Sequence, residues 1–306
     1  AQWTPVDGGS FGYCVLTNSG LRGYACHKEV FMARGWKTAL FLLAVLALFL
    51  VCALWSGLTL RFYGVRTDKL TQDARLRLAL LTDLHSCVYG ENHRELLDLV
   101  LDQRPDVILL GGDIVDDVEP LENALSFFES LSQTGIPAYY VSGNHDRWRP
   151  DFASVLETIR GYGITVLEGN MVTLDLAVGQ VNLCGIQEYA NAEDCAAALE
   201  ATFSTLSPDA YNILLAHRPD YIDLYRQYPF DLVLSGHTHG GQVCIPLLVN
   251  GLFAPNQGWL PKYAGGQYDV EGTCLVISRG LSYNPRLPRV FNPPEVVIVD
   301  VEGTAR

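Results

Sequence analysis

Histidines, carboxylates and one amide recur along this chain in five short blocks: Asp83-Leu84-His85, Gly112-Asp113-Ile114-Val115-Asp116, Gly143-Asn144-His145-Asp146, Ala216-His217-Arg218 and Gly236-His237-Thr238-His239-Gly240-Gly241-Gln242. These side chains are the ligand stock of divalent ions. Carboxylates and neutral imidazoles suit Mn²⁺, Fe²⁺ or Zn²⁺, and a shared carboxylate can hold two such ions about 3.5–4 Å apart. An ion pair of that kind lowers the pKa of a water between them and neutralises phosphoryl oxygens, which is the chemistry of in-line attack on phosphorus.

The elements that must position the blocks are legible around them. Leu78 to Leu81, Val107 to Leu110, Ala138 to Val141, Ile213 to Leu215 and Leu232 to Leu234 read as buried strands. Arg94 to Leu101, Leu121 to Leu131 and Phe152 to Ile159 have helical spacing between them. Val172 to Leu176 and Val181 to Cys184 flank Val178-Gly179-Gln180 as a hairpin, and Cys274 to Ser278 and Val296 to Val301 close the domain. The expected fold is α/β, with two mixed β-sheets packed as a sandwich flanked by helices. Each block follows a strand, so its residues should gather where the carboxyl ends of strands meet at one edge.

Five blocks in this order resemble the motif set of the calcineurin-like metallophosphoesterases, and the tail from Ser278-Arg279-Gly280-Leu281 through Asn292-Pro293-Pro294-Glu295 resembles their membrane-associated phosphodiesterase branch. The resemblance implies that Asp83, His85 and His239 bind one metal, that Asp113 bridges, and that Asn144, His217 and His237 complete the second site. It implies attack by a hydroxide bridging the two ions, with His145 as the acid for the leaving oxygen and Asp116 orienting His145 by a hydrogen bond. Arg147 and Arg218 are candidates for substrate phosphate, and Gly240 and Gly241 for close backbone approach to it, although paired glycines also mark ordinary turns. His93, among Glu91, Arg94 and Glu95, reads as a solvated helix-face residue, and His27 is given no role.

Thr38 to Leu60 carries no charged side chain and would span roughly 33 Å as a helix, enough to cross a bilayer core. An uncleaved anchor is favoured over a signal peptide because the run is long and Leu54-Trp55-Ser56-Gly57-Leu58 is a poor cleavage site. Flanking positive charge does not choose a side, and a single-pass cell-membrane protein with an extracytoplasmic catalytic domain is the expectation. The boundaries are 1–37 for an N-terminal tail, 38–60 for the anchor, 61–76 for a linker and 77–306 for the domain. Residues 1–31, which precede the start-like Met32-Ala33-Arg34-Gly35-Trp36-Lys37, read as untranslated upstream sequence or a cytoplasmic tail.

A net charge of −13 argues against nucleic acid as a partner, because counterion release favours basic stripes and none is visible. The eight cysteines form no CxxC pair and read as free thiols. The apolar segment Cys244 to Phe253 reads as a core strand and turn, with a lipid-accepting lip as the alternative. Together these features point to a phosphodiesterase or pyrophosphatase with two divalent ions, acting on a lipid or lipid-linked phosphate at the bilayer. The rivals are a phosphomonoesterase, protein phosphatase or nuclease of the same superfamily, and a noncatalytic membrane-tethered sensor.

Overall fold

A computed structural model describes residues 19–283 and 287–305, with side chains from residue 36 onward. All of the expected tail 1–31, with Cys14, Cys26 and His27, therefore lies outside the described side chains. The chain divides into two units, Ala1–Cys52 and Ala53–Arg306. The first is dominated by helix α1, Ser19–Ala53. Among the described residues, α1 alone is long and apolar enough to cross a membrane, over Trp36–Ala53, where the mean hydropathy is 2.3.

Two expectations need correction here. The helix ends at Ala53, not at residue 60, and the supposed linker 61–76 is folded, because Thr59–Thr67 is strand β1 and Arg75–Leu81 is β2. β1 runs parallel to the last strand of the chain, a partner 236 residues away at Thr59↔Glu295.

After β2 come α2 (Arg94–Leu101), β3 (Val107–Gly111), α3 (Leu121–Ser132), β4 (Ala138–Val141), α4 (Asn144–Trp148), α5 (Phe152–Gly161) and β5 (Thr165–Val166). The second half holds β6 (Asn170–Leu176), β7 (Gly179–Ile186), α6 (Ala192–Phe203), β8 (Tyr211–Ala216), α7 (Ile222–Tyr225) and β9 (Leu232–Ser235). It ends with β10 (Phe253–Ala254), β11 (Gly258–Trp259), β12 (Gly266–Val270), β13 (Thr273–Ile277) and β14 (Glu295–Gly303). The two main sheets have the orders β1-β14-β2-β3-β4-β5 and β12-β13-β9-β8-β7-β6, both mixed. The fold expected from sequence is thus the fold observed.

The strands are continuous apolar runs because both faces are covered. Along β2, Leu76, Leu78 and Leu80 enter the core between the sheets with Leu183, Ile213 and Leu234, while Ala79 and Leu81 face α2 and α3 through Leu96 and Phe127. The outer face of the second sheet packs Cys184, Leu214 and Val233 against Leu199 and Phe203 of α6. Helix, sheet, sheet and helix form four layers. In the middle of each sheet β2, β3 and β4, and likewise β8 and β9, run parallel, so their carboxyl ends point the same way.

His93 does not face solvent. It is fully buried, with Nε2 3.0 Å from the Asn123 carbonyl and its ring 5.5 Å from that of Phe127. Asn92 and His93 have φ of 53° and 57°, which break the helical phase assumed from the sequence and turn the ring inward. The cysteines with described side chains are all free, as expected.

Candidate metal centre

All five blocks leave the carboxyl ends of β2, β3, β4, β8 and β9, and backbone bonds sew their loops together. Asp83 N–H donates to the Gly112 carbonyl (2.9 Å) and His85 N–H to that of Asp113 (2.9 Å), while Gly236 N–H donates to the carbonyl of His217 (3.1 Å). Asp83 Oδ1 accepts the N–H of His237 (2.9 Å), which ties the first sheet to the second. The motif glycines permit the crowding: a Cβ on Gly112 would lie 2.5 Å from His217 Nδ1, and one on Gly143 would lie 2.2 Å from Asp113 Oδ1.

The result brings together Asp83, His85 and His239 in one group and Asp113, His217 and His237 in another, each with ligand atoms within 4.8 Å of one another. Asp113 lies near both groups, with Oδ2 3.7 Å from His85 Nε2 and 3.1 Å from His217 Nε2. Asp113 Oδ1 also accepts the N–H of His145 (2.8 Å). Asn144 opens α4, and its Oδ1 is buried without a hydrogen-bond partner.

The hydrogen-bond partners assign the ring tautomers. His85 Nδ1 meets Asp116 Oδ2 at 2.7 Å, and its Nε2 is buried with no partner. His217 Nδ1 donates to the Gly111 carbonyl (2.9 Å), and His237 Nε2 donates to Asn256 Oδ1 (2.7 Å). That leaves two lone-pair nitrogens, His217 Nε2 and His237 Nδ1, facing each other at 3.1 Å beside a carboxylate. Such an arrangement requires a cation, either a proton on His217 Nε2 or a metal ion, and the orphaned His85 Nε2 and Asn144 Oδ1 are acceptors that a metal would fill, so the donor set fits divalent metal.

The charges agree. Burial opposes ionisation of Asp113, but His217, then His85 and His145, hold its carboxyl well below the ordinary range. Burial also opposes charge on His217, yet Asp113 overrides it and pushes that imidazolium up to about 10, so a proton on Nε2 is what a metal ion would displace. Burial and the neighbouring His217 push His237 down to about 4, and burial pushes His239 down to about 3, so both present neutral rings. Five of the expected ligands, Asp83, His85, Asp113, His237 and His239, have φ between 48° and 70°, the left-handed region that non-glycine residues seldom occupy. Strain of this kind gathers at functional sites.

Some expected roles change. Asp116 does not orient His145; it holds His85, and the partner of His145 Nδ1 is Asp117 Oδ1 at 2.6 Å, against 3.7 Å to Asp116. Arg218 does not face substrate, since it is buried, pairs with Asp220 and Glu188, and lies over the Tyr221 ring at 4.1 Å. Arg147 reaches Gln187 (3.1 Å) and Glu168 (3.6 Å) instead of the ligand cluster. Gly240 and Gly241 serve packing: a Cβ would meet Asn292 Oδ1 at 2.3 Å and Gly251 Cα at 2.4 Å respectively. The segment Cys244 to Phe253 is no core strand, because Leu247 and Leu248 are fully or largely exposed.

Sequence reasoning missed four supporting residues. Asp146, buried in the Gly143 block, accepts the N–H groups of Asp113 (2.6 Å), Gly143 (2.7 Å) and Val115 (2.8 Å), and burial with Asp113 alongside pushes it up to about 7. Asp117 stands beside the residue chosen in its place. Asn256, and Ser282 at 3.3 Å from His239 Nδ1, are isolated polar residues in loops and give no signal in the sequence.

A four-layer α/β sandwich with a histidine–carboxylate cluster at its strand ends defines a metal-binding protein built for phosphoryl chemistry. The calcineurin-like phosphoesterase family model matches residues 76–241, and the chain belongs to that family. It is 34% identical over 234 residues to phosphodiesterase YaeI of Escherichia coli, covering 74% of this chain and 83% of that one. It is 32% identical over 237 residues to an uncharacterized metallophosphoesterase of Campylobacter jejuni, covering 74% of this chain but only 59% of the relative. Among solved structures it resembles TT1561 of Thermus thermophilus, with a TM-score of 0.44 and 15% identity over 67% of this chain and 89% of that one.

Proposed function

We propose that the protein is a membrane-anchored phosphodiesterase that hydrolyses a phosphodiester or pyrophosphate in a lipid or lipid-linked nucleotide with two divalent ions. The observation that carries the reading is the pair of neighbouring ligand groups with Asp113 close to His85 of one and part of the other, and with His85 Nε2 and Asn144 Oδ1 buried and unpaired. Asp83, His85 and His239 would hold one ion and Asn144, His217 and His237 the other, with Asp113 common to both. Bound there, the ions would supply Lewis-acid stabilisation of phosphoryl oxygens and a water acidified toward neutrality.

The chain's own residues supply the rest. Asp116 fixes the His85 ring, Gly111 and Asn256 fix those of His217 and His237, and Asp146 pins the Asp113 and Gly143 backbone. His145, packed between the His85 and Trp148 rings and held by Asp117 through Nδ1, keeps Nε2 for proton transfer to the leaving oxygen. The name of the Escherichia coli relative supports diester over monoester chemistry, and the apolar run Trp36–Ala53 supports a substrate in or near a membrane.

The test is hydrolysis of bis(p-nitrophenyl) phosphate by the Asp113→Ala and Asn144→Ala variants, with Mn²⁺, Fe²⁺ or Zn²⁺ supplied. Both should lose metal-dependent turnover while retaining the wild-type circular dichroism. Turnover surviving in both removes the mechanism. Parallel assays with lipid diesters, pyrophosphates and monoesters separate the substrate classes.

A further inference from the structure

The loop that carries His237 and His239 continues into a surface unlike the rest of this acidic protein. Ile245 and Val249 close a turn through reciprocal backbone bonds of 2.8 and 2.9 Å, and at its tip Leu247 and Leu248 are 105% and 82% exposed. Beside it the β10–β11 ribbon carries Phe253 and Trp259 with ring centroids 5.5 Å apart, and Trp259 and Leu260 are 72% and 65% exposed. These are built features: Leu252 N–H donates to Gly241 and Val243, and Leu260 N–H to Leu252. Leu247 and Leu260 stand at φ of 69° and 53°, a conformation that a γ-branched side chain resists. Holding two leucines strained and in water is unfavourable unless the surface is covered in use.

Composition and connectivity indicate what covers it. The chain has 34 acidic residues, yet 232–268 contains none, and Lys262 within it is exposed. An apolar surface free of carboxylates suits a bilayer whose anionic headgroups would repel acidic side chains. The apolar run Trp36–Ala53 joins the catalytic unit at Ala53, whose carbonyl accepts the Phe291 N–H (2.7 Å). The adjacent Val290 accepts the N–H of Cys244, at the base of the leucine turn, and donates to Gln242. The point of tethering and the apolar surface are therefore one strand apart within the same unit.

We propose that the Ile245–Leu260 surface docks on the lipid bilayer, with Leu247, Leu248, Trp259 and Leu260 inserted at the boundary between headgroups and acyl chains. The inference rests on the reading of Trp36–Ala53 as the anchor. Tethering raises the local concentration of membrane, so a small inserted surface suffices. Because the surface continues from the loop of His237 and His239, docking fixes the metal ligands at headgroup depth, within reach of a lipid phosphate.

The experiment uses the full chain in proteoliposomes of phosphatidylcholine and phosphatidylglycerol, with phosphatidylcholine brominated at shallow or deep acyl positions. The Trp259 emission is taken as the difference between wild type and Trp259→Phe. Insertion to about 5–10 Å predicts loss of that emission, greater with shallow than with deep bromines. The loss should shrink in a Leu247→Asp/Leu248→Asp variant whose thermal unfolding matches wild type. If the protein floats with the vesicles but Trp259 is quenched by acrylamide and by neither bromolipid, docking is overturned while the anchor stands. If the protein does not float, both fall, and the phosphodiesterase assay in solution is unaffected. Trp259 shielded from both quenchers, with cross-links between copies, overturns the proposal in favour of self-association.

Discussion

Two adjacent carboxylates divide two jobs, and exchanging each for its amide should separate them. Asp116 Oδ2 holds His85 Nδ1 at 2.7 Å, and its Oδ1 accepts the N–H groups of Val118 (2.8 Å) and Glu119 (3.0 Å). Asn at this position keeps the Oδ1 acceptor for the loop but offers the imidazole no anion, so the metal ligand loses orientation and basicity. Losing such a partner weakens metal affinity by about 10–100-fold, or about 1.4–2.7 kcal/mol. Asp117→Asn touches the proposed acid His145, whose Nδ1 is 2.6 Å away, and no proposed metal ligand. It should lower kcat by about 10²–10⁴ and leave metal affinity at the wild-type value. Calorimetric titration of the metal-stripped variants and diester turnover at saturating metal read the two effects independently. A reversed pattern, with Asp116→Asn sparing metal affinity and Asp117→Asn reducing it, would refute the assignment of both residues.

Metal added to chelator-treated protein at a hundred times its dissociation constant should stabilise by about 2.7 kcal/mol, raising Tm by about 5–10 °C. A flat melting curve with Mn²⁺, Fe²⁺ and Zn²⁺ alike would show that the cluster takes none of them. Gly143→Ala places a Cβ 2.2 Å from Asp113 Oδ1 and 2.6 Å from its amide nitrogen, so it should destabilise the fold by about 1–3 kcal/mol in urea and abolish turnover. Burial lowers the pKa of His93, with the Asn123 carbonyl only partly opposing it, so the native state prefers the neutral ring. Its stability is intact above the unfolded value of about 6.5 and is lost as pH falls below that toward the folded value. His93→Gln should flatten this fall in urea titrations at about pH 7.5 and pH 5, and an unchanged slope would remove the explanation.

Strand runs such as Leu78 to Leu81 were legible because burial on both faces leaves no polar alternation to misread, and the convergence of the candidate ligands was legible because each follows such a run. Contacts at long range were not. β1 is partly exposed and is held by pairing with β14 and by Val65 in the core, so Arg61 to Thr67 looks like a linker in isolation. Arg218 finds Glu188 thirty residues away, and nothing near it in sequence announces burial. Asp116 and Asp117 differ by one position on a loop, and only the turn made there decides which imidazole each meets. The Cys244 to Phe253 segment has the composition of a core strand, but hydrophobicity does not distinguish a residue covered by protein from one covered by something else.

The backbone at the ligands links the fold to its chemistry. Five left-handed residues at about 1 kcal/mol or more each amount to a sizeable fraction of a domain's net stability of about 5–15 kcal/mol. The strain is held because the loops are over-determined: Asp83, His85 and Ser86 donate in succession to the carbonyls of Gly112, Asp113 and Ile114, and Asp146 binds the Asp113 amide from the other side. Both anchoring loops hang from central strands buried on both faces, so relaxing them would disturb β2 and β3 together. A cluster serving only to stabilise the domain would gain nothing from strained backbone and unpaired buried acceptors, both of which work against folding. Both are offset once cations occupy the centre, and the rigidity that imposes them in advance is what would align the groups for a reaction at phosphorus.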